Sequence, residues 1–172
     1  MVDLGTYIPF LLVRAGESVQ HGFAAPLAEA GISLYMWRVL AVLDEAGPQS
    51  LNGLAEKTAI EPSTLSRLVT RMQRKRLISR TRSTEDGRMV HVRLAKAGRT
   101  LMDTLGPVGA RYEDTLLETL TDEQRTLLSD SLRRLYEAGQ RAAAEAPKLP
   151  PTESLRKNAA QGSDSSRTRR AR

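Results

Sequence analysis

Ser63, Ser66, Arg67, Thr70, Arg71 and Arg74 recur at spacings of one, three and four residues, and at about 100° per residue they share one side of a helix. Hydroxyl and guanidinium groups set out this way donate hydrogen bonds and neutralise anions. That is the chemistry of holding nucleic-acid phosphates and base edges. No carboxylate interrupts the stretch between Glu61 and Glu85, whereas a merely solvated surface helix usually mixes both signs. A basic ribbon follows directly, carrying Arg80, Arg82, Arg88 and Arg93.

Bond-making chemistry is poorly represented. The two histidines, His21 and His91, are far apart in sequence and there is no cysteine, so a metal set of the usual His/Cys type lacks ligands. No glycine-rich phosphate loop opens a helix. Asp122 and Glu123 fall in a first helical turn, where acids offset the dipole. The expectation is therefore a protein that is not an enzyme, with no catalytic residues, no metal and no cofactor. The absence of cysteine also excludes disulfides and thiol-based oxidant sensing.

The elements that must position the basic face can be read around it. Leu65, Leu68, Val69 and Met72 fall on the opposite side of the same helix, Pro62 suits its first position, and Glu61 complements its positive end. Strands are predicted over Ile78–Arg82 and Met89–Leu94, with Val90, Val92 and Leu94 as the period-two apolar face and Asp86-Gly87 as the turn. Upstream, a helix is predicted from Ser33 as N-cap to Asp44, ended by Gly47-Pro48, and Ser50 caps a short helix over Leu51–Lys57. Helix, short helix, basic helix and hairpin in this order describe a winged helix-turn-helix.

Charge is unevenly distributed along the 172 residues. Residues 50–99 carry twelve Lys and Arg against four Asp and Glu, residues 147–172 seven against two, and the remainder seven against fourteen. The positive charge is thus concentrated where DNA would lie, and release of counterions from neutralised phosphates would supply affinity.

The acidic remainder is mostly helical. From Pro9, Ile8, Leu12, Ala15, Val19 and Phe23 form one stripe; Leu101, Leu105, Val108, Tyr112 and Leu116 form a second; Thr121 and Gln124 make a capping box before Leu128, Leu132 and Leu135. Gly106-Pro107 either kinks the second of these helices or breaks it in two. One winged module cannot bury all three stripes. They pair across a two-fold axis or fold back on a monomer's own core, and the first is the economical solution.

The run from Leu34 to Gly98 resembles the MarR family of winged helix-turn-helix transcriptional regulators. Trp37-Arg38-Val39-Leu40 is similar to its second helix, Leu54-Ala55 to its third, Ser63 to Met72 to its recognition helix, and Asp86-Gly87-Arg88 to its wing signature of Asp, any residue, Arg. Leu94-Ala95-Lys96-Ala97-Gly98 resembles the return to the helical region, although Ala95 stands where Thr is usual. Arg76 stands where Gly is usual; it either adds roughly 1 kcal/mol of left-handed strain or marks a different cap. With the flanking helices the resemblance spans residues 7–140.

The resemblance implies a mainly α fold with a small β-wing, a winged helix-turn-helix flanked by N- and C-terminal dimerisation helices. Its divisions are residues 1–32 and 98–146 for dimerisation, 33–97 for DNA binding, and 147–172 as a disordered basic tail. It implies a homodimer whose recognition helices sit roughly 34 Å apart on a pseudo-palindromic operator in double-stranded DNA. Ser63, Thr64, Ser66, Arg67, Thr70 and Arg71, with Arg74 and Arg82, would contact the major groove and its backbone; Arg88 would enter the minor groove, with Asp86 holding the wing. Family members that sense peroxides through cysteine offer no precedent for this chain. The effector class implied is a small aromatic or phenolic anion, and Arg14, His21, Phe23, Trp37 and Arg38 combine flat apolar surface with cationic donors that would line its cleft. The alternative is that Phe23 and Trp37 are core and the arginines are paired.

No apolar run approaches the ~20 residues needed to span a bilayer, and Arg14 and Glu17 interrupt the N-terminal apolar stretch, so a cytoplasmic, ligand-responsive repressor without membrane contact is the expectation. Two rivals are a sequence-indifferent architectural DNA binder and a module whose basic face meets an acidic protein partner. The tail, ending Arg167-Thr168-Arg169-Arg170-Ala171-Arg172, is either an arm that touches phosphates or a solubilising segment.

Overall fold

A computed structural model describes residues 3–82 and 90–145, with Arg82 described by its backbone alone. The chain divides at Thr119/Leu120 into two compact units. In the first, α1 (Ile8–Glu29), α2 (Leu34–Ala46), β1 (Gln49–Ser50), α3 (Leu51–Thr58), α4 (Pro62–Arg74), β2 (Ile78–Arg82), β3 (Val90–Leu94) and α5 (Lys96–Leu117) follow in order; the second holds α6 (Asp122–Ala144).

Local chemistry sets the boundaries of the helix-turn-helix. Ser33 caps α2 by accepting the Met36 N–H at 3.3 Å, and Ser50 caps α3 by accepting the Gly53 N–H at 3.1 Å. Gly47, at φ 70°, turns the chain out of α2 in a conformation that costs other residues strain. At the end of α4, Leu77 donates to the Met72 carbonyl and Arg76 to that of Gln73, the paired bonds of a Schellman motif. Arg76 occupies the left-handed position at φ 57°, so the strain reading of that residue holds and the cap is the ordinary one.

The sheet is three-stranded and antiparallel in the order β1-β3-β2, not the two-stranded hairpin expected from the sequence. Gln49 pairs with Val92 and Ser50 with His91; two residues are too few to register as a period-two pattern. The pairing of Ile78 with Leu94 through Arg82 with Val90 sets the hairpin register. Met89, expected to start the second strand, lies outside the described residues. Val92 and Leu94 are buried as expected, while Val90 is exposed.

One apolar core joins these elements. Phe23 and Leu27 of α1, four residues of α2, Leu54, the inner side of α4, Val92, Met102 and Leu105 are all buried in it. α5 runs as one helix through Pro107, so the alternative of two separate helices is excluded. α1 likewise continues through Pro26. Tyr112 of α5 donates to the Val19 carbonyl at 2.9 Å, and its ring stacks on Phe23 at 5.5 Å. In α6 both bonds of the Thr121–Gln124 capping box form, and no residue of that helix is buried.

Candidate nucleic-acid interface

The two sides of α4 are sharply different. Leu65, Leu68, Val69 and Met72 are buried, whereas Ser63, Thr64, Ser66, Arg67, Thr70, Arg71 and Arg74 are exposed. Hydrophobic burial of four side chains therefore fixes the rotation of the helix and presents the cationic side to solvent. Ser66, Arg67, Thr70, Arg71 and Arg74 line a shallow concavity of about 350 Å³ on that side.

Glu61 is more than a dipole partner. Its carboxylate caps α4, accepting the Thr64 N–H at 3.0 Å and the Ser63 hydroxyl. The Ser63 hydroxyl, followed by the Ser63 and Thr64 backbone N–H groups, lowers its pKa to about 2. The carboxylate thus stays ionised at neutral pH. The Ser63 proton is committed to this cap, which leaves its oxygen as an acceptor.

Thr70 is also committed. Its hydroxyl donates to the Ser66 carbonyl at 3.0 Å and accepts from the Arg80 guanidinium at 3.2 Å. Arg80 therefore belongs to the site, although the sequence reading counted it only among the ribbon's charges. The missed signal is strand parity: Ile78 is buried against the core, Arg80 lies two residues on, and its cross-strand partner Val92 is buried too. That places Arg80 on the face of the sheet that carries α4. The side chain of Arg82, and Asp86 and Arg88 entirely, lie outside the described residues.

The five residues expected to line an effector cleft are not brought together. Phe23 is buried, with its ring 5.3 Å from Trp37 in an edge-to-face contact. Arg38 donates to the Thr58 carbonyl at the end of α3. The Arg14 guanidinium lies over the Phe10 ring, 5.7 Å from its centroid. His21 is exposed and shares the wall of a cleft of about 420 Å³ with Glu17, Gln20, Leu27 and Ile32, between α1 and the start of α2. Among the described residues no three His, Asp or Glu gather as a metal site, and no single helix is long and apolar enough to cross a membrane.

Comparison with known proteins gives a consistent result. The family model described as MarR family matches residues 32–90. The transcriptional regulator FarR of Neisseria gonorrhoeae is 31% identical over 125 residues, which cover 72% of this chain and 85% of FarR. The crystal structure of the MarR family regulator SPO1453 from Silicibacter pomeroyi superposes with a TM-score of 0.68 at 28% identity, over 80% of this chain and 98% of that one. BpsR of Bordetella bronchiseptica, whose DNA binding is regulated by 6-hydroxynicotinic acid, has a TM-score of 0.67 at 23% identity, over 75% and 98% of the two chains. At that identity the likeness is one of fold.

Proposed function

Because the chain belongs to the MarR family of DNA-binding transcriptional regulators, which are not enzymes, we propose that it is a homodimeric repressor. It holds a pseudo-palindromic operator until a small aromatic or phenolic anion releases it. The observation that carries the reading is the exposed side of α4, where seven hydroxyl and guanidinium residues stand and the adjacent carboxylate, Glu61, is spent on the helix cap. Residues 33–97 form the DNA-binding module in this reading. Ser63, Thr64, Ser66, Arg67, Thr70, Arg71 and Arg74 meet the major groove, joined by Arg80; Arg82, Asp86 and Arg88 complete the contact from the wing.

Dimerisation is supported by apolar side chains left in solvent. Ile8 is 52% and Leu12 39% exposed on α1, and Leu128, Leu132 and Leu135 are 41–44% exposed on α6. Residues 1–32 and 98–146 would cover these faces across a two-fold axis and set the recognition helices about one helical turn of DNA apart. Such a dimer works beside promoter DNA in the cytoplasm.

An effector releases DNA only if it binds one spacing of the two modules better than the other. The cleft at His21 lies where α1 meets α2, between the segment assigned to dimerisation and the DNA-binding module, and is the favoured seat. Phe23, Trp37 and Arg38 are engaged in core and turn contacts. Phe23 and Trp37 hold α1 against α2 and Arg38 ties α2 to the end of α3, while Arg14, the guanidinium of α1, lies over the Phe10 ring. Regulation of BpsR by an aromatic acid supports the choice of effector class.

Footprinting of the DNA flanking its own gene tests binding, palindromy and spacing together. Two protected half-sites one turn apart are expected. Protection without preference over bulk DNA would favour a sequence-indifferent architectural binder instead.

A further inference from the structure

Tyr35 stands on the first turn of α2, half exposed, and among the described residues its hydroxyl has no hydrogen-bond partner. With Ser33 it walls a notch of about 350 Å³ whose other wall is Thr64, Arg67, Leu68 and Arg71 of the recognition helix. No carboxylate lines this notch. Tyr35, Arg67 and Arg71 thus border a space large enough for one phosphate group.

The ring also meets a cation of its own helix. The Arg38 guanidinium lies 5.9 Å from the Tyr35 ring centroid and also donates to the Thr58 carbonyl, at the turn that leads into α4. One side chain thus ties the aromatic ring to the end of α3, so ring and recognition helix share a fixed frame. Pre-organisation of this kind reduces the ordering cost when a partner arrives.

We propose that Tyr35 is a further DNA-binding residue: its hydroxyl donates to a phosphodiester oxygen beside the groove entered by α4, with Arg71 on the same phosphate. Arg38 is the positioning residue that orients it. The inference rests on the DNA-binding reading of α4. A phosphate is favoured over a base edge because Tyr35 belongs to α2, and a helix packed beside the recognition helix crosses the DNA backbone.

The test is Tyr35→Phe in the full chain, which removes the hydroxyl and keeps the ring. Binding is measured on a random-sequence duplex of about three helical turns and on the site protected in footprinting. Affinity should fall about tenfold or more on both, as for a lost hydrogen bond to a charged group. The slope of affinity against salt should stay unchanged, because a neutral donor releases no counterion. Wild-type affinity on both duplexes, or a slope changed by a whole unit, would overturn the proposal. Wild-type protein that binds the random duplex but gives no footprint would sink the operator reading and leave the Tyr35 comparison readable. In an Arg38→Met background the Tyr35→Phe effect should shrink to about twofold or less, the non-additivity of coupled neighbours. An undiminished effect there would remove Arg38 from its role.

Discussion

Gly98 lies so close to Leu77 that a methyl group on its Cα would overlap the Leu77 carbonyl oxygen and stand 3.0 Å from the carbonyl carbon. That oxygen accepts the Ala95 N–H at 3.0 Å, so the same atom joins the end of the basic helix to the start of α5. Gly98→Ala must push this junction apart. Stability should fall by about 1–3 kcal/mol, the range for overpacking a tight site, as read from urea denaturation. A variant as stable as wild type would mean that the backbone yields freely there.

Arg76 offers the opposite change. It holds φ 57° at the left-handed position of the α4 cap, where a side chain adds strain and glycine does not. Arg76→Gly should raise the unfolding free energy by about 1 kcal/mol, less any extra entropy of the unfolded chain. Denaturation of the two proteins side by side checks it, and an unchanged or lower midpoint would refute the strain.

These two junctions show what the sequence could disclose. Arg76 stands out in the sequence only against the family's usual Gly, with strain and a different cap both open until its φ of 57° decides, whereas Ser33, Ser50 and Thr121 are legible as caps because the cap's hydrogen bond is local. β1 was not legible, since its two residues become a strand only through Val92 and His91, some forty residues away. Arg80 was seen as charge and missed as a contact, because its role depends on which sheet face α4 covers. For Phe23 and Trp37 the sequence leaves cleft lining and core both open; three-dimensional packing puts Phe23 against both Trp37 and Tyr112.

Glu61 carries a pH signature of known sign. Its pKa falls from 4.5 to about 2 through the Ser63 and Thr64 hydrogen bonds, so the folded state favours the ionised form. The contribution is complete above the unfolded value and drains away as pH falls from about 4.5 toward 2. Glu61→Gln should lack this component, so its stability should change less with pH across that window. Parallel curves for the two proteins from pH 6 to about 2 would show that ionisation of Glu61 adds nothing to stability.

Arg67 and Arg88 should separate reading from anchoring. Arg67 projects from the exposed side of α4, and Arg67→Ala should cost about 1–3 kcal/mol on the operator and relax base preference. Arg88 is assigned to the minor groove by the wing signature, and Arg88→Ala should weaken all duplexes evenly and lower the salt slope by about one. Competition binding on operator and scrambled duplexes distinguishes them. Equal losses on every sequence for both variants would contradict this division of labour.

The exposed stripe of α6 leads to the last expectation. A helix of 23 residues with no buried side chain gains little from packing, yet it carries Leu128, Leu132 and Leu135 on one side, spaced to meet a partner helix. Pairing with a second copy would bury that stripe and give the helix a reason to persist. Leu132→Glu places a charge in the middle of the pairing face, where it must be desolvated or keep the copies apart. The variant should sediment as a single chain at concentrations where wild type is a dimer. Each module would then meet its half-site without the other's effective concentration, and operator affinity should fall by about 10²-fold or more, with far less change on random DNA. A Leu132→Glu protein that remains dimeric and keeps its operator affinity would place the two-fold interface elsewhere.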